Sequence, residues 1–156
     1  MPARSAPLWK CPRCRRAFAN RNQTHTCSNT PIAAHFRKKP PATRALYNQF
    51  LRSLRAHGPV KVLPEKTRIA FQARMSFAAV IVRRHHLRGH LVLAQRHPHP
   101  CFLRVTTFSP RNHVHEFELR SPADLTAPFR RFLAMAYRVG RQEHLAGRPR
   151  AAPAVR

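Results

Sequence analysis

Residues 66–94 read KTRIAFQARMSFAAVIVRRHHLRGHLVLA, and the division of this stretch decides the fold. Residues 69–71, 77–82 and 91–93 are rich in β-branched and aromatic side chains, which suit short strands with a half-buried face. Polar breaks at residues 72–74 and 83–89 separate them. Three short strands joined by tight turns pair antiparallel, and the rest of the chain adds strands and closing helices to that sheet.

Upstream, Val60-Lys61-Val62-Leu63 reads as a first strand ended by Pro64. Residues 42–57 place Leu46, Phe50 and Leu54 at i, i+4 and i+8, with Tyr47 and Leu51 beside them. This is the apolar stripe of a helix, and Gly58-Pro59 stops it. Residues 36–41, FRKKPP, read as a linker.

Downstream, His97-Pro98-His99-Pro100 is a stiff loop, residues 102–108 are strand-like, and Ser109-Pro110-Arg111-Asn112 is a turn. Residues 113–119 alternate: His113, His115, Phe117 and Leu119 face one way, Val114, Glu116 and Glu118 the other. Ser121-Pro122-Ala123-Asp124 is a helix-start signature. The helix it opens carries Leu125, Phe129, Phe132, Leu133, Ala136 and Val139 inward and runs to about Gly147, with Pro128 kinking it or shifting its start towards Ala127. The fold expected is α+β: an antiparallel sheet of about five or six strands packed with an N-terminal and a C-terminal helix, preceded by a small zinc-bound head. Residues 1–8 are expected to be disordered, 9–36 to form the head, 41–146 the α+β domain, and 147–156 a disordered basic tail.

The head is the stretch WKCPRCRRAFANRNQTHTC, residues 9–27. Cys11 and Cys14 stand at the spacing with which one turn aims two thiolates and its amides at a single ion. His25 and Cys27 complete C-x2-C-x10-H-x-C, a nitrogen and sulfur set suited to tetrahedral zinc. Phe18 lies four residues after Cys14, where small zinc fingers place the apolar residue under the metal. Residues two apart share a side only in extended chain, so His25 and Cys27 bind one ion only from a turn or an extended piece. His35, on a helical turn beginning near Thr30-Pro31, competes with His25 for the fourth position. So short a segment cannot bury a core, and the metal would have to supply its folding free energy.

Charge narrows the function classes. The chain has 30 Lys and Arg against 5 Asp and Glu, a formal net charge of +25. Such a balance favours polyanions, nucleic-acid backbones foremost, although biased Arg, Pro and Ala usage is the plainer source of the same excess. No run approaches the length of a membrane span and no signal-type segment opens the chain, so a cytoplasmic protein without membrane contact is expected. Thiols stay reduced there, and three cysteines crowded into residues 11–27 point to metal over disulfides. Four glycines and scattered acids leave neither a glycine-rich phosphate loop nor the paired carboxylates of glycosidases and two-metal enzymes. Cys101, near His97 and His99 but without an orienting carboxylate, reads as a structural cysteine.

The motifs WKCPRCRRAFANRNQTHTC, HGPVKVLPEKTRIAFQARMSFAAV, SPRNHVHEFELRSPADL and AYRVGRQEHL, in that order, resemble a bacterial family carrying domain of unknown function 5655, in the version with an N-terminal Cys/His head. The resemblance covers nearly all of residues 9–146. It implies a small α/β domain and no established activity. Similar chains usually have Gly after the second cysteine, where this one has Arg15. The domain is also distantly similar to small domains likened to the iron chaperone frataxin, but an iron site of that kind wants an acidic face, and this chain has the reverse.

Two functions follow as expectations. One is a binding module whose zinc head and basic sheet contact nucleic-acid phosphates with little sequence specificity. The other is an enzyme or ligand-binding domain that takes an anionic small molecule between Lys66, Arg68, Arg111, His113 and His115, should their strands meet.

Overall fold

The computed structural model describes residues 6–23, 25, 27 and 30–145. The expected basic tail at 147–156, and residues 1–5 of the expected disordered start, lie outside them. In chain order the elements are β1 (Trp9–Lys10), β2 (Ala17–Phe18), α1 (Pro41–Arg55), β3 (Lys61–Pro64), β4 (Ile69–Gln72), β5 (Ser76–Val82), β6 (Leu87–Leu93), β7 (Arg104–Ser109), β8 (Asn112–Leu119) and α2 (Ala127–Gly140). Short 3-10 turns occupy Ile32–Phe36, Pro122–Asp124 and Glu143–Leu145. β1 and β2 form a small hairpin, and the other six strands make one antiparallel sheet in the order β3-β4-β5-β6-β8-β7.

The period of the strands sets the core. Cross-strand pairs Ile69↔Val80, Leu87↔Leu119 and Leu91↔His115 align one apolar face, on which both helices pack. Phe50 of α1 sits 5.5 Å from Phe71 and 5.8 Å from Phe117, and Phe129 of α2 lies 5.0 Å from Phe117. All four rings are buried, each contributing roughly 2–3 kcal/mol. Phe36, expected in the linker, belongs to this core: its ring packs tilted against Tyr47 at 5.0 Å, with the Arg44 guanidinium 4.5 Å from its ring.

β6 is longer than its apolar letters suggest. Arg88 and His90 point to the outer face while Leu87, Leu91 and Leu93 point inward, so the polar break shrinks to residues 83–86. Gly89 fits mid-strand because a Cβ there would meet the Ala79 carbonyl and the Phe117 ring. Ser121 and Asp124 do form a capping box, but around the 3-10 turn. The cap of α2 is Thr126, whose hydroxyl accepts the Phe129 amide, and Pro128 falls harmlessly in the first turn. α2 ends at Gly140, short of Gly147, because Gln142 turns left-handed at φ 63°. The amides of Arg74 and Met75 both donate to the Gly140 carbonyl, at 2.9 Å.

The connection after α1 depends on Gly58. Its φ is +144°, and a Cβ would lie 2.3 Å from the Tyr137 hydroxyl, which donates to the Pro59 carbonyl at 3.1 Å. Gly58→Ala should therefore lower the unfolding free energy by about 2 kcal/mol, and Tyr137→Phe by about 1 kcal/mol through the lost hydrogen bond. The double variant should cost less than the sum, since the hydroxyl that the new methyl meets is gone. Urea denaturation of the four proteins measures this; strictly additive costs would show that the two groups do not interact.

Candidate metal centre

The C-x2-C turn is closed by backbone hydrogen bonds: the Cys11 amide donates to the Arg16 carbonyl at 2.9 Å, and the Arg15 amide to the Cys11 carbonyl at 2.8 Å. Arg15 takes the left-handed conformation, φ 60°, at some cost in strain for a residue other than glycine. β1 and β2 bring Trp9 and Phe18 together, and Phe18 lies 4.3 Å from the His25 ring. The aromatic residue expected beneath the site thus backs the histidine.

Cys11, Cys14, His25 and Cys27 offer four ligand atoms that all lie within 4.8 Å of one another. Cys11 Sγ is 3.8 Å from Cys27 Sγ; His25 Nε2 is 3.2 Å from Cys14 Sγ and 3.4 Å from Cys27 Sγ. A tetrahedron with metal–sulfur bonds of about 2.3 Å and metal–nitrogen bonds of about 2.0 Å has edges of about 3.8 Å between sulfurs and about 3.5 Å from sulfur to nitrogen. The four side chains therefore fit a tetrahedral ion, and the cysteines are free thiols. Among the described residues this is the one such group.

The surroundings prepare the ligands. The Cys14 amide, aided by that of Arg13, pulls the Cys11 thiol down to about 6 against the opposing effect of burial. Burial above all, and after it the neighbouring Cys11 and Cys14, push the Cys27 thiol up. His25 Nδ1–H donates to the Gln23 carbonyl at 2.7 Å, which fixes the tautomer and leaves Nε2 facing the cysteine sulfurs. That carbonyl also raises the ring's pKa. His35 is not in the group: its 3-10 turn buries it near Phe36, where its Nε2 has no hydrogen-bond partner. The head is joined to the sheet by Gln72, whose side-chain amide donates to the Ala17 carbonyl, and by Arg74, which donates to the Ala6 carbonyl. Sequence reading missed Gln23 and Gln72, for neither has a local signature.

The five residues expected around an anion do not converge. Lys66 and Arg68 lie in the β3–β4 turn, where Arg68 pairs with Glu65 at 2.8 Å. Arg68 borders a groove on the outer face with Arg88, His90 and Glu116. His113 and His115 alternate with Glu116 and point to the opposite, helix-covered face, and two strands separate β4 from β8. Arg111 sits in the β7–β8 turn. Both histidines are satisfied by protein. His115 Nδ1–H donates to the His113 carbonyl at 2.9 Å and Nε2 accepts the His97 amide at 3.0 Å. His113 lies 2.9 Å from Thr107 Oγ1 and 3.2 Å from the Pro110 carbonyl. Cys101, as expected, is half-buried, and burial pushes its thiol up, away from nucleophile chemistry. A cleft of about 590 Å³ lies elsewhere, between His97 and the end of α2 at Arg138 and His144.

The family described as domain of unknown function (DUF5655) matches residues 32–140 of the 156. The chain belongs to this family. The metal-ligand group at 11–27 precedes the matched region, so the head is an addition to the DUF5655 domain. No curated protein and no solved structure matches the chain.

Burial lowers the pKa of His115, and likewise of His86, His90 and His144. A ring held neutral in the fold but free to protonate near pH 6.5 when unfolded gives stability that is complete above that pH and lost as pH falls below it. Unfolding free energy should therefore drop between pH 7 and pH 5. His115→Gln should flatten that slope relative to the unaltered protein, since any effect of pH on the head is common to both. Urea titrations at three pH values decide it; equal slopes would mean that the His115 ring protonates as easily folded as unfolded.

Proposed function

We propose that Cys11, Cys14, His25 and Cys27 hold one zinc ion whose role is structural. The reading rests on the match between the observed ligand separations and a tetrahedron's edges. Four protein ligands close the coordination sphere, leaving no open position for substrate or water, as in structural and not catalytic zinc sites. Three thiolates and one neutral imidazole around a divalent ion carry a net charge of −1, which the nearby Arg13 and Arg15 offset. β1 and β2 are two residues each, too little to bury a core, so the metal would supply most of the head's folding free energy.

On this reading the protein is a binding module with a metal-stabilised head on a DUF5655 domain. The partner suited to a net charge of +25 is the phosphate backbone of nucleic acid, met without strong sequence preference. Among the described residues no basic recognition helix offers base readout: α1 and α2 each bury an apolar stripe and turn scattered polar side chains outward.

Purified protein should contain one zinc per chain. Cys14→Ser should release it and abolish amide protection over residues 9–27, while β4, β5, β6 and β8 keep theirs. Metal analysis with hydrogen exchange checks both parts. Protein free of bound metal, or a head equally protected with and without it, would refute the structural role.

A further inference from the structure

Thr43, in the first turn of α1, is buried, and its hydroxyl donates to the Arg84 carbonyl at 2.6 Å. This bond spans 41 residues and seats the β5–β6 turn against the start of α1. The turn is closed by the Arg83 amide donating to the His86 carbonyl at 2.9 Å. Arg83, Arg84 and His85 project from it into solvent. On the helix side Arg44 is exposed, steadied over the Phe36 ring, and Arg37 and Lys38 are exposed just before α1. Two basic segments far apart in the chain thus form one surface.

No acid neutralises that surface. Glu65 pairs with Arg68, Glu116 lies near Arg88 and Arg104, and Glu143 pairs with Arg141. Asp124 accepts the Arg120 and Ser121 amides. Glu118 is held by His86 and Arg120, and the hydrogen bond it accepts from His86 at 2.8 Å braces the base of the turn. These five are all the acids in the chain. The N-terminus of α1 adds the positive end of a helix dipole to the same place.

We infer that the surface made by Arg37, Lys38, Arg44, Arg83 and Arg84 is the face with which this protein contacts the phosphate backbone of a nucleic-acid strand. The inference rests on the polyanion reading above and names where it acts. Cations on two pinned segments lose less freedom on binding than cations on a loose chain, so this face outcompetes the general positive charge. A membrane surface fits less well, because the most exposed large apolar side chains among the described residues, Phe108 at 73% and Leu103 at 54%, lie on or beside β7 at the sheet's far edge, not among these cations.

The test is fluorescence anisotropy of the full, zinc-loaded chain with a mixed-sequence duplex and a single strand over a salt series. Arg44→Gln/Arg83→Gln/Arg84→Gln should weaken binding at least tenfold and reduce the duplex salt slope by about 2 to 3. Lys61→Gln/Arg131→Gln/Arg138→Gln removes the same charge from exposed positions elsewhere and should change affinity less than threefold. Arg83→Gln/Arg84→Gln leaves Arg44 on Phe36 undisturbed and should reduce the slope by about 2, which keeps the test decisive if the triple variant unfolds. Equal losses in the two triple variants would overturn the inference, leaving binding to overall charge alone. Failure of the unaltered protein to bind either oligonucleotide at 50 mM salt would overturn the polyanion reading beneath it. Binding to phosphatidylserine vesicles with no oligonucleotide binding would assign the face to lipid and also overturn it.

Discussion

The carbonyl of Gly140 takes two amides from the β4–β5 turn, and much of the molecule is held in place through that junction. A helix ends with carbonyls that its own backbone cannot satisfy, and here the turn at Arg74-Met75 supplies the donors. The approach is possible only with glycine at the helix end: a Cβ on Gly140 would lie 2.4 Å from the Phe77 ring. Phe77 in turn packs against Tyr137, whose hydroxyl closes the loop after α1. One contact therefore fixes the end of α2, the β4–β5 hairpin and the exit from α1 together.

The same turn carries the head with its Cys/His cluster. Arg74 reaches the Ala6 carbonyl with one nitrogen and Gln142 with another, while Gln72 holds the Ala17 carbonyl. The domain owns a continuous aromatic core, whereas the head has two short strands and two aromatic rings, Trp9 and Phe18, around its ligands. Strands of two residues bury little by themselves, so the head leans on the sheet through these hydrogen bonds.

Charge is distributed by subtraction. Five acids among thirty Lys and Arg are all engaged, four in ion pairs and one at a capping box, so whatever surface lacks them is strongly positive. The turn at residues 83–86 and the start of α1 form such a surface because Thr43 reaches across to Arg84.

Much of this was legible in the sequence, and the physics of what was not is consistent. The α+β class, the six strands and both helices follow from periods of about two and about 3.6 residues, which are local properties. The ligand set was legible for the same reason: spacing within one turn fixes where two thiolates point. Three things were decided only by the tertiary structure. His25 prevailed over His35 because the 3-10 turn rotates His35 into the core, which spacing does not encode. Arg88 and His90 read as a break because a strand with one open face carries polar residues that only its pairing with β8 explains. His113 and His115 were placed on one face correctly, but alternation does not say which face the helices cover; α2 covers theirs, and Lys66 and Arg68 are left beyond two strands and around the other side. Covalent spacing sets what neighbours in the chain can do, whereas burial of a face is settled by elements that meet only once the chain has folded.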